Sequence, residues 1–157
     1  GKVVRVPVVV KPVGLAAPAQ VGGNGGPITY GVTFGYAGAF TASPIGLVPA
    51  AVTASTVADD PTDSNCALDS PNAMQQTVNV PVGAKQARFA LFDADVNPGS
   101  DLDLCVFKDG VAVGASAGGT SSEEVALTNP AAGDYVVVVQ GWGVVGSTPY
   151  KLHAWVL

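Results

Sequence analysis

Residues able to do chemistry are few in this chain, and most are acids. Asp93, Asp95, Asn97 and Asp101 fall at positions 1, 3, 5 and 9 of a calcium-loop spacing, with Asp103 as a further oxygen ligand. Hard oxygen donors at alternate positions converge on one ion when the loop curls around it. The match is incomplete, because Pro98 stands where the sixth-position glycine belongs and Leu104 where a bidentate glutamate belongs. That excludes an EF-hand and leaves two readings, a looser calcium loop or a solvated turn whose acids end the flanking strands. Asp59, Asp60, Asp63 and Asp69 form a second acidic patch.

Serine chemistry has two sequence matches, and both fail on context. Gly114-Ala115-Ser116-Ala117-Gly118 fits the nucleophile-elbow pattern, and Ser116, Asp134 and His153 even follow in the matching chain order. An elbow needs a helix directly after the serine, to aim backbone N–H groups at an oxyanion. Here Gly119-Thr120-Ser121-Ser122 runs on toward a strand. Gly119-Thr120-Ser121 resembles the tripeptide at the subtilisin nucleophile, yet Ser122-Glu123-Glu124 follows in place of the methionine, alanine and helix proline. No catalytic residue is expected, and His153 reads as an ordinary histidine alternating with Leu152 and Ala154.

Two cysteines and a tryptophan complete the set. Leu102, Leu104 and Val106 share the face expected to meet the core, so Cys105 and Asp103 point the other way. A disulfide from Cys66, in the acidic loop, to Cys105 would tie that loop to the sheet. Closing about 40 residues stabilises by ~4 kcal/mol in the chain-entropy picture. The alternative is two unpaired thiols. Trp142, between Gly141 and Gly143, is the best candidate for a ligand contact, whereas most other aromatics belong in a core.

The elements that must hold these residues are strands. Val, Thr, Gly and Pro dominate, and no long window keeps helical periodicity free of Gly or Pro. Period-two runs closed by turn residues recur at 28–36, 51–58, 76–80, 86–92, 101–107, 121–128 and 150–157, and 135–139 is a continuous apolar run, as expected of a strand buried centrally in a sandwich. Asp109-Gly110 marks a two-residue hairpin. The chain of 157 residues is 48% apolar and only 12% charged, with 20 Gly and 12 Pro. It therefore reads as all-β, a mainly antiparallel, jelly-roll-like β-sandwich. With seven scattered Lys and Arg and a net charge of −5, nucleic-acid binding is disfavoured. No apolar run approaches the ~18 residues of a membrane span.

Several pieces carry a family likeness. They are Thr77-Val78-Asn79-Val80-Pro81, Ser100-Asp101-Leu102-Asp103-Leu104 with Val106-Phe107, Ser121-Ser122-Glu123-Glu124-Val125, and Asn129-Pro130-Ala131-Ala132-Gly133-Asp134-Tyr135 leading into the following valines. In order and spacing they resemble the bacterial pre-peptidase C-terminal domain over residues 76–157. Val4-Arg5-Val6-Pro7-Val8-Val9-Val10-Lys11-Pro12 is similar to the last strand of the fibronectin-like domain that follows the catalytic domain in many secreted subtilases. Gly31-Val32-Thr33-Phe34-Gly35-Tyr36 and Gly46-Leu47-Val48-Pro49-Ala50 are similar to segments of the same C-terminal regions.

The resemblance implies a non-catalytic, extracellular accessory domain of a secreted subtilisin-like serine protease. Residues 1–12 would be a remnant of the preceding domain or an extra edge strand, and 13–157 the sandwich. Its partners would be the parent's catalytic domain and a protein or polysaccharide substrate. Some related domains bind calcium. The alternative is a structural or processing appendage that aids export and solubility and is removed on maturation. Cys105 stands where the family often has an aromatic, which fits the disulfide and removes an aromatic contact there.

Overall fold

The computed structural model describes residues 14–22, 26–42 and 48–157. The valine-rich segment 1–12 lies outside the described residues. The chain divides into two compact units, Gly1–Ser43 and Pro44–Leu157. In the first, β1 (Leu15–Ala16) pairs antiparallel with β2 (Thr33–Phe34). The alternating stretch 28–36 thus contributes only two strand residues, and Ile28, Tyr30, Val32, Phe34 and Tyr36 are all exposed. Alternation supplies a sided strand, but a side is buried only where a second layer covers it.

The eight strands of the sandwich lie within the second unit. Its strands are β3 (Ala51–Ala58), β4 (Met74–Val80), β5 (Gln86–Ala90), β6 (Asp101–Lys108), β7 (Val111–Ser116), β8 (Glu124–Thr128), β9 (Gly133–Gly143) and β10 (Ser147–Val156). One sheet runs β3-β10-β5-β8 and the other β4-β9-β6-β7, every neighbouring pair antiparallel. The unit's first strand pairs with its last, the second with the second-last, and so on inward. The chain is one long hairpin wrapped into two sheets, which is the jelly roll. No α-helix occurs among the described residues, and no helix there is long and apolar enough to cross a membrane.

Local chemistry explains the turns. Asp109 and Gly110 both take positive φ, 51° and 78°, the requirement of the tight turn that joins β6 to β7. Between the sheets, Val57, Phe89, Leu102, Leu104, Val137 and Leu152 are fully buried or nearly so. Even-numbered β6 residues face this core, as the period-two reading requires. A smaller cluster lies on the other side of the same sheet, where Cys105, Phe107 and Val138 pack with Cys66, Leu68 and Ala73. That second cluster is why residues 135–139 are apolar without alternation: β9 is covered on both faces.

Candidate functional site

The acidic connection between β5 and β6 commits Asp95 and Asn97 to β10. Asp93–Asp95 form a single 3₁₀ turn. Asp95 faces β10, where Lys151 Nζ donates to Oδ1 at 2.6 Å and His153 Nε2 lies 2.9 Å from Oδ2. Burial opposes its charge, but the hydrogen bonds and positive charges of Lys151 and His153 outweigh that and hold the carboxyl below the usual aspartate range. Asn97 is also committed, its N–H donating to Thr148 Oγ1 and its side-chain amide to the Ser147 carbonyl. Gly99, at φ 82°, closes the bend with Ser100 N–H donating to the Asn97 carbonyl. Among the described residues no group of three or more His, Cys, Asp or Glu is arranged to hold a metal ion.

The two outer acids of β6 have a different surrounding. Burial, then the nearby charges of Glu123 and Asp93, push the Asp101 carboxyl up, and its Oδ1 is buried without a hydrogen-bond partner. Asp103 is only 4% exposed, and its carboxylate accepts no hydrogen bond among the described residues. Burial, then the charges of Asp101 and Glu123, push its pKa up to about 6. Glu123 stands near both, its oxygens accepting from Ser116 Oγ and the Gly118 N–H.

A tethered loop frames Asp103. Cys66 and Cys105 form a disulfide that fastens residues 59–73 across the outer face of β6 and β9. Asp60 organises this loop, accepting from Thr62 N–H and Oγ1, from Ser64 Oγ and from Gln140 Nε2 at 2.6 Å. Burial would raise its pKa, but these four bonds prevail and lower it. Gln140 is wholly buried beside Asp103 in register and donates a second bond to the Ser64 carbonyl, so its amide is engaged with the loop. Asp59 also serves the fold, its Oδ1 accepting from the Val144 N–H. The second acidic patch is thus in part a loop scaffold.

Trp142 arrives at the same place by a bulge. Asp101 pairs with Gly143 and Leu102 with Gly141, which leaves Trp142 as the extra residue on β9. Gly141 is dictated by packing, since a Cβ there would sit 2.5 Å from the Ala58 carbonyl oxygen. Trp142, at the bulge, is 36% exposed. Trp142, Asp103, Asn65, Ala117 and Gly118 line one cavity of about 240 Å³. Sequence reasoning had Asp103 and Trp142 in separate roles. Gln140, a lone polar residue ending the apolar run, was the signal that this face carries something other than core.

Ser116 and His153 stand in different sheets, one on β7 and the other on β10. His153 packs between Phe92, at 4.9 Å edge to face, and Trp155, stacked at 5.9 Å. Trp155 is in turn covered by the Arg88 guanidinium at 4.6 Å.

The fold and this site define the chain as a disulfide-tethered jelly-roll domain with a small acidic hollow on one outer face. No protein-family model matches the chain, and neither does any curated protein. Among solved structures it is similar to the periplasmic lysozyme inhibitor PliG of Aeromonas hydrophila, an inhibitor of g-type lysozyme. Identity is 16%, covering 69% of this chain and 87% of that one, with a TM-score of 0.46.

Proposed function

We propose that this chain is a non-catalytic binding domain, the C-terminal accessory region of a secreted subtilisin-like serine protease, holding protein substrate near the parent enzyme. The observation that carries the binding reading is the hollow in which an exposed tryptophan meets a buried acid without a partner. Binding sites combine an apolar wall with a few placed polar groups, and this one does so on a rigid sheet. The segments that resemble the pre-peptidase C-terminal domain fall on β4, β6, β8 and β9 with their turns, which accords with that reading. Absence of chemistry is supported by Ser116 bonding to Glu123 while His153 is held by Asp95 in the other sheet. The disulfide suits an oxidising location outside the cytoplasm.

The test is co-sedimentation of the purified chain with insoluble collagen and, in parallel, with cellulose and chitin, alongside a casein-hydrolysis assay. Binding to the fibrous protein without casein cleavage is the expected result. A chain that stays in the supernatant with every material overturns the binding reading and leaves the appendage that is removed on maturation.

A further inference from the structure

An ionisable group more than nine-tenths buried is normally paired, because desolvation without a partner is costly. Asp103 breaks that rule at 4% exposure. Its neighbour across the strand, Gln140, has its amide drawn to Asp60 and Ser64. Arg88 pairs with Glu124, Lys108 with Asp109 and Lys151 with Asp95. Asp103 does have one opening. Its small remaining exposure lies on the outer face of β6. That exposure is into the 240 Å³ cavity it lines with Trp142.

The lining selects the ligand. A calcium ion takes six to eight oxygens, whereas this cavity offers one carboxylate and the Asn65 side chain. A Trp ring attracts weakly hydrated cations over its face, guanidinium above all. Ala117 and Gly118 keep the remaining wall small. The nearby charges of Asp101 and Glu123 add negative potential at Asp103. Cys105 lies two residues from Asp103 on the same face, so the disulfide also fixes the Asn65 wall.

We propose that this hollow receives an arginine side chain of a polypeptide partner, Asp103 pairing with the guanidinium and Trp142 covering its face. The proposal rests on the binding-domain reading above and names the chemistry that such a domain would recognise.

The probe is N-acetyl-arginine amide, titrated into the full chain carrying Trp155→Phe, so that emission reports Trp142 alone. Saturable change in Trp142 emission is expected with the arginine probe and not with its neutral isostere N-acetyl-citrulline amide. Asp103→Asn is expected to weaken binding about tenfold or more, and Trp142→Leu, read by isothermal titration calorimetry because it removes the emitting residue, by about two- to fivefold. Asp103→Asn removes an unpaired buried charge, so it keeps the fold, and a thermal melt of each variant verifies this. Equal binding of the citrulline amide, an undiminished affinity in Asp103→Asn, or displacement of the probe by micromolar calcium would each overturn the proposal. Loss of arginine binding with co-sedimentation on collagen intact would sink this pocket alone. Loss of co-sedimentation with arginine binding intact would sink the substrate-holding reading alone.

Discussion

At the scale of single residues, Asp103 sets the behaviour of the site. An aspartate whose folded pKa is raised from 3.8 to about 6 binds its proton more tightly when folded. Between those values the folded state holds more protons than the unfolded one, so stability falls as pH rises through this window. Above pH 6 the whole penalty is present, and below pH 4 it is gone. Asp103→Asn keeps the shape and removes the charge. It is expected to stabilise the chain by about 1–2 kcal/mol at pH 7.5, a value discounted for the water that reaches the carboxylate, and to do little at pH 4. Urea unfolding at the two pH values measures this, and equal midpoints for both proteins at pH 7.5 would refute it. Asp95 has the opposite sign, since its lowered pKa contributes stability that is lost as pH falls through the folded value. A side chain's neighbours, more than its type, decide which of two acids close in sequence is relaxed and which is strained.

At the scale of elements, the site depends on one loop, one bulge and one disulfide. Residues 59–73 make no strand of their own; Asp60, Gln140 and the Cys66–Cys105 bond hold them on the sheet. The bond spans 39 residues. Chain entropy assigns it about 4 kcal/mol, and its replacement by Cys66→Ser with Cys105→Ser is expected to lower Tm by roughly 10 °C or more. A calorimetric scan of the oxidised and double-serine proteins decides this, and matching Tm values would mean that the loop stays seated by its hydrogen bonds alone. The bulge at Trp142 is similarly enforced, because Gly141 must let the Ala58 carbonyl approach before the next residue can turn outward.

For the whole molecule, nesting of first strand with last places the sandwich in one segment of chain. All eight sandwich strands lie between residues 51 and 156, within the second compact unit. A fragment of residues 44–157 is therefore expected to fold and to melt cooperatively within a few degrees of the full chain. Far-UV circular dichroism on both proteins tests this. A fragment without a cooperative transition would show that the first unit is needed to complete the fold.

Much of this architecture was legible in residue order. Period two along β6 separated Leu102, Leu104 and Val106 from Asp103 and Cys105, because alternation depends only on backbone geometry. The Asp109-Gly110 hairpin followed from a local φ requirement, and the cysteine pairing from one outward cysteine beside a loop. Alternation at 28–36 promised a strand that mostly did not form, since pairing needs a neighbour that local sequence does not specify. The acids at 93, 95, 97 and 101 were evenly spaced, yet spacing says nothing of Lys151 and His153, more than fifty residues away, which turn Asp95 aside. The meeting of Asp103, Asn65 and Trp142 was likewise beyond any local pattern. It is created by the register of β6 on β9, an extra residue in that register, and a disulfide across the chain. Sequence alone determined which residues could face outward; long-range pairing decided which of them face one another.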